Sequence, residues 1–233
     1  EGALRLALER VTSGDAVLPA GCEVTYDLEA LDILRALIRR PRDGDELAAF
    51  YRDFRERHGT RPTASEVQHA GFNPARTGHD GWFGFVSDMG DLTGAAHAAW
   101  QAHRHLLDEI ETTRMTRSYK MLVLRAMLEA GAFPGRIALD DLVVRVARAA
   151  RRNPEIAADL SVDAGDHAAL RRVLLDQPLK VLVDTRWFRR GPGTFETTTG
   201  EASPALTALA SELVDWRLTR YLQENQNTYA TPP

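Results

Sequence analysis

The chain has 233 residues, 44% hydrophobic and 27% charged, with a formal net charge of −4. That balance fits one large or two small folded domains, and the acidic excess excludes a uniformly basic coat for polyanions. No apolar run approaches the roughly 20 residues needed to cross a bilayer, so no membrane partner is expected, and the single cysteine, Cys22, excludes a disulfide framework and fits a reducing cytoplasm.

Leu4, Leu8 and Val11 recur at helical spacing, and Ser13-Gly14-Asp15 ends that segment. Cys22 to Tyr26 alternates as a short strand does, and Asp27 is placed to cap a helix carrying Leu28, Leu31, Leu34 and Ile38. Pro41-Arg42-Asp43-Gly44 breaks it. The next helix shows Leu47, Phe50, Tyr51 and Phe54 on one stripe and closes at Gly59. Thr63 and Glu66 form a capping box, because hydroxyl and carboxylate can each satisfy an orphan backbone N–H. The short helix behind it carries Val67 and Ala70. A turn-rich stretch from Asn73 to Gly78 leads to an aromatic helix with Trp82, Phe83, Phe85, Val86 and Met89, expected to face a core.

A longer helix runs from Thr93 to about Thr112, with Trp100, His103, Leu107 and Ile110 on one side. Thr116 is placed to cap the next, which buries Tyr119, Val123, Ala126 and Met127 and stops at Gly131. Arg136-Ile137-Ala138 is long enough for a single β-bridge. A helix with Leu139, Leu142, Val143 and Val146 follows, then a brief one capped by Asn153 with Pro154 at its first position. Asp166 caps a helix with Ala169, Leu170, Val173 and Leu174, which ends before Pro178. Leu179 to Val183 is β-rich, Arg186 to Arg190 is basic with two aromatics, Gly191-Pro192-Gly193 is a turn, and Thr194 to Thr198 is β-rich again. A last helix opens at Ser203-Pro204 and extends to about Glu224. The final Tyr229-Ala230-Thr231-Pro232-Pro233 reads as a linker, and with no Met at the start the chain is expected to be a piece of a longer polypeptide.

The expected fold is mainly α, a helical bundle with a winged-helix-like unit of three helices plus a β-hairpin. Residues 1–112 form an N-terminal helical region with a trihelical, helix-turn-helix-like unit at 45–90. Residues 113–200 form the winged-helix-like domain, 201–224 the C-terminal helix, and 225–233 a linker or tail.

Catalytic motifs are mostly excluded by the lysines. Only Lys120 and Lys180 stand among the 29 Lys and Arg residues, and neither lies in the Gly-x-x-x-x-Gly-Lys-Ser/Thr setting of a phosphate-binding loop. Ser118 and Pro178 occupy the positions two before them, where a nuclease of the Asp…Glu-x-Lys type needs an acid. One cysteine cannot build a cysteine zinc site. His105 and Glu109 share a helix face beside His103, Asp108 and Glu111, a cluster read as a solvated charged face. Asp140-Asp141 suits the first turn of a helix, where the macrodipole favours negative charge. No catalytic residue, metal or cofactor is expected.

Charge is unevenly spread. Residues 114–190 hold 15 Arg or Lys against 9 Asp or Glu, a net of +6, on a chain whose remainder is net −10. A local basic segment can still hold phosphates, because salt screens distant acids beyond about 8 Å. In a winged helix the third helix enters a DNA groove and the hairpin touches the backbone. That assigns nucleic-acid contact to Arg171 and Arg172 on the third helix and to Arg186, Trp187, Arg189 and Arg190 at the hairpin tip. Guanidinium forks bind phosphate bidentately, and an indole can stack on a base. Arg117 and Lys120, at the start of the unit's first helix, complete the set. Arg145, Arg148, Arg151 and Arg152 suit a solvated face equally well.

Four stretches resemble one family: Tyr26-Asp27-Leu28-Glu29-Ala30-Leu31-Asp32, Gly81-Trp82-Phe83-Gly84-Phe85-Val86, Thr112-Thr113-Arg114-Met115-Thr116-Arg117-Ser118-Tyr119-Lys120-Met121 and Leu213-Val214-Asp215-Trp216-Arg217-Leu218. Together they are similar to the C-terminal accessory region of large bacterial superfamily II, DEAD/DEAH-box helicases of restriction and phage-defence settings. The resemblance implies a non-catalytic accessory module that grips or orients nucleic acid, or couples the motor to a nuclease, beside a motor domain of the same polypeptide; DNA is expected over RNA as the partner. It does not carry over ATPase or unwinding activity, whose motifs are absent here. The alternatives from the residues alone are a scaffold or dimerisation module and a free-standing winged-helix transcriptional regulator.

Overall fold

The computed structural model describes residues 44–199 and 203–229. The expected helices and strand before Gly44, with Cys22, lie outside the described residues. The described residues are mainly helical, with one small antiparallel sheet among them.

Helices α1 (Gly44–His58) and α2 (Ala64–His69) open the described part. The capping box forms as expected. Thr63 Oγ1 accepts from Glu66 N, and Glu66 Oε2 accepts from Thr63 N at 2.7 Å. A 3-10 turn (Pro74–Arg76) leads to α3 (Gly81–Asp88), whose Trp82, Phe83, Phe85 and Val86 are all buried. Tyr51 packs edge-on to Phe85 at 5.3 Å between ring centroids, within the favourable aromatic range.

Helix α4 (Gly94–Thr112) is kinked at His103, where φ −119 and ψ 20 leave the helical region. The kink splits the expected stripe. Trp100 and His103 are half-buried, and Leu106, Leu107 and Ile110 beyond it carry the core contact.

The second half runs α5 (Tyr119–Glu129), β1 (Arg136–Ala138), α6 (Leu139–Arg152), α7 (Pro154–Asp159), α8 (His167–Asp176), α9 (Pro178–Asp184), β2 (Phe188–Gly191) and β3 (Thr194–Thr197). The sheet order is β1-β3-β2, antiparallel throughout, with Ile137 opposite Phe195 and Arg189 opposite Glu196. Side chains alternate across the sheet. One face carries Ile137, Phe195 and Phe188 into the core, the two phenyl rings stacked at 5.4 Å. The other face carries Arg136, Glu196 and Arg189.

Three local expectations need correction. Leu179 to Val183 is not a strand but lies in α9. Pro178 supplies the first helical position, and Leu179 and Leu182, three apart, are buried together. Thr116 does not cap α5. Ser118 holds the cap position, without a side-chain bond into the helix. The hairpin tip is Pro192-Gly193, not residues 186–190. Proline fixes φ near −65° and Gly193 has φ 66, the combination a type II turn requires.

The last helix, α10 (Pro204–Tyr229), outruns its expected end and packs against α2, α4 and α5. Its Leu206, Leu209, Leu213, Val214 and Trp216 are buried, so it is shared by both halves of one continuous apolar cluster.

Two carboxylates pin this junction. Glu212 of α10 accepts from Arg61 through both oxygens at 3.0 and 2.6 Å, from Ala64 N at 3.0 Å and from Trp82 Nε1 at 2.6 Å. Asp159, at the end of α7, accepts from Ser118 N and Oγ, both at 2.6 Å, and from Tyr221 of α10 at 3.0 Å. Glu111 is no part of a solvated face: it is 4% exposed and accepts from Trp82 N at the start of α3 at 3.0 and 3.2 Å. No side chain of α3's own caps it, and glycine at position 81 leaves the room, since a Cβ there would meet Glu111 Oε2 at 2.7 Å.

Candidate nucleic-acid interface

Helix α8 is oriented by its cap and its core face. Asp166 accepts from Ala169 N at 2.9 Å, and Leu170 and Leu174 are buried. That spacing turns Arg171 and Arg172 outward, as expected. Their surroundings differ. Arg171 reaches across to Asp140 at the start of α6 at 3.4 Å, beside the exposed Val144 in a shallow groove of about 300 Å³. Arg172 is exposed and, among the described residues, meets only the Ala168 carbonyl at 3.4 Å.

The hairpin joins this surface through the start of α6. Leu139 N donates to the Gly193 carbonyl at 2.9 Å, so the turn of the hairpin is fastened one residue before Asp140. The pair Arg171–Asp140 and the hairpin tip therefore meet at one place.

The four hairpin residues divide. Arg189 is spoken for: Glu196 accepts from its Nε at 2.7 Å and from Arg136 Nε at 2.7 Å. The two guanidiniums, with the Arg136 bond foremost, hold the Glu196 carboxyl below the usual carboxylate range. Arg190, on the opposite face at the tip end of β2, is exposed and has no ion-pair partner among the described residues. Arg186 precedes the strand and lies over the Trp187 ring, 4.5 Å from its centroid. Trp187 is half-buried and packs against the core.

Arg117 and Lys120 sit elsewhere, at the start of α5. Arg117 donates to the Asp159 carbonyl at 2.7 Å and lies over the Tyr119 ring, 5.5 Å from its centroid. Lys120 Nζ donates to Thr113 Oγ1 at 2.6 Å, and burial pushes its ammonium below the ordinary lysine range. Both line a cleft of about 540 Å³ with Arg114 and Lys180, against α9 and the end of α8. The sequence reading missed Arg136, Glu196, Arg114 and Lys180. Lys180 had a signal, since it is one of two lysines in the chain.

Among the described residues no group of three or more His, Cys, Asp or Glu is placed to hold a metal ion, and no helix is long and apolar enough to cross a membrane. No family model, no curated protein and no solved structure matches the chain.

Proposed function

We propose that the chain is a non-catalytic nucleic-acid-binding module, in which residues 119–197 act as a winged helix that grips DNA through α8 and the β2–β3 hairpin. The observation that carries this reading is the order of parts. A helix, a strand, four helices (α6 to α9, of which α6 and α8 are the longest) and a hairpin close into a sheet of order β1-β3-β2, with the hairpin turn fastened at the start of α6, where Arg171 of α8 reaches Asp140. In a winged helix those two elements are the ones that meet a duplex.

Arg172 and Arg190 are the phosphate contacts of choice, because neither is neutralised by a carboxylate. Arg171 adds a third contact when a phosphate displaces the exposed Asp140. Arg189 belongs to the Glu196 ladder and contributes less. On this reading α10, shared with the N-terminal helices, fixes the grip to the rest of the polypeptide, in keeping with an accessory role beside a DNA-processing ATPase of bacterial defence systems.

The test is fluorescence anisotropy with duplex and single-stranded DNA across a salt series. Affinity should fall steeply with salt, and Arg172→Ala and Arg190→Ala should each flatten the duplex slope by about 0.9. Salt-insensitive or absent binding overturns the proposal, and self-association without DNA binding would favour a dimerisation module.

A further inference from the structure

Both lysines of the chain line the same cleft. It opens between the start of α5 and the run from Asp176 to Asp184, and it is lined by four cations and two acids. We propose that this cleft is a separate ligand site, which takes a phosphate monoester carrying a nucleoside-sized organic group.

The charge pattern comes first. Arg114, Lys120 and Lys180 have no carboxylate within ion-pair distance among the described residues, although Asp176 and Asp184 line the same cleft. Several half-buried arginines elsewhere on the fold do pair with acids: Arg55 with Asp91, Arg104 with Asp80, Arg145 with Asp141 and Arg220 with Glu224. Lys120 uses one of its three donors, on Thr113, and is half-buried. An entering anion supplies the ion-pair contact that its desolvated ammonium, attracted by Glu109 without an ion pair, lacks. Arg117 is held in place by the Asp159 carbonyl and the Tyr119 ring, so its guanidinium needs little ordering on binding.

The balance of four cations against two acids leaves +2 at the cleft. A phosphate monoester carries about −1.5 to −2 near neutral pH, whereas a phosphodiester carries a single charge. The cleft is also too large for phosphate alone. At about 540 Å³ it lies among clefts that bury organic ligands, typically about 300–1,000 Å³. Pro178 and Val181 give it an apolar wall, and Val181 is 48% exposed, a large apolar side chain left open to solvent. Phosphate at the lysines and a planar group against Val181 satisfy both ends.

Such a group has two sources, a free mononucleotide and the 5′-phosphate end of a strand. The second rests on the DNA reading above, since the cleft adjoins Asp176 and Gln177 at the end of α8.

Isothermal titration calorimetry on the full chain separates these cases, with adenosine 5′-monophosphate, adenosine, inorganic phosphate, and one single-stranded oligonucleotide in 5′-phosphate and 5′-hydroxyl forms. The mononucleotide should bind at least about tenfold tighter than adenosine or inorganic phosphate, as a charge-assisted contact set implies. Lys180→Ala, at an exposed position that leaves the fold intact, should remove about tenfold of that affinity, while Arg172→Ala leaves it unchanged. A 5′-phosphate advantage that Lys180→Ala abolishes identifies the strand end as the source. Mononucleotide binding without that advantage identifies the free nucleotide. Equal affinity for mononucleotide and adenosine, equal affinity for mononucleotide and inorganic phosphate, or an unchanged Lys180→Ala variant overturns the site. Oligonucleotide binding that ignores the 5′ end and Lys180, with no mononucleotide binding, would do so while leaving the α8 and hairpin interface standing.

Discussion

Glu111 should make stability depend on pH in a direction opposite to that of most paired carboxylates. Its carboxyl is buried, and burial pushes it from the ordinary 4.5 up to about 7, with Asp108 adding in the same direction and the Trp82 N–H and Arg217 opposing. The folded state then holds a proton that the unfolded chain has released. Stability from this group is complete below about pH 4.5 and is lost as pH rises through about 7. At about 1.4 kcal/mol per tenfold of proton affinity, the span amounts to about 3 kcal/mol. Glu111→Gln keeps an acceptor for the Trp82 N–H and fixes the site neutral. Urea unfolding followed by circular dichroism, near the acid and neutral ends of that window, should show the wild type losing about 3 kcal/mol more than the variant as pH rises. The difference between the two proteins cancels groups not coupled to Glu111, such as Glu196, whose carboxyl its arginines lower. Parallel pH curves for the two proteins would refute the assignment of a protonated Glu111 at neutral pH.

Three further outcomes test the frame around the interface. Glu212→Ala strands Arg61, the Ala64 N–H and the Trp82 indole N–H on a carboxylate site only 12% exposed; breaking such a partly buried pair costs about 3–5 kcal/mol. Scanning calorimetry should find the melting temperature lower by about 10 °C, and a drop below about 3 °C would mean that water already serves those donors. Glu196→Gln releases Arg136 and Arg189, so duplex affinity should rise and the salt slope steepen by about 1 to 2; an unchanged slope places the outer sheet face away from DNA. Asp159→Ala removes the acceptor that joins Ser118 to Tyr221 and should cost about 2–4 kcal/mol by denaturant titration, with faster amide exchange at Ser118. Unchanged exchange there would show that α5 docks without it.

The helices were legible wherever a cap and an apolar period agreed. Thr63 with Glu66, Asn153 with Pro154, and Asp166 each mark a start that the structure keeps, because capping is decided by neighbours within four residues. The run from Leu179 to Val183 misled because a short apolar, β-branched segment satisfies both periods. Docking of Leu179 and Leu182 on the core decided it, and that is tertiary information. The kink at His103 left no trace in the residue pattern. For the site, the outward turn of Arg171 and Arg172 followed from α8's period. The ion pairs that divide the arginines did not, since Arg171–Asp140 and Arg136–Glu196 join residues 31 and 60 apart in the chain. Which cation is left unpaired depends on such long-range partners, so Arg172 and Arg190 could not be separated from Arg171 and Arg189 beforehand.

The placement of Lys120 and Lys180 also bears on covalent chemistry. Arginine side chains stay protonated and do not acylate, so the only side-chain amines open to an ester reagent line one cleft, one on each side of it. Lys120, its ammonium lowered by burial, offers a larger fraction of free amine at a given pH than an ordinary lysine does. A cross-linker or dye aimed at side-chain amines thus becomes a probe of a single face, and neighbours captured through it are neighbours of the α5–α9 groove.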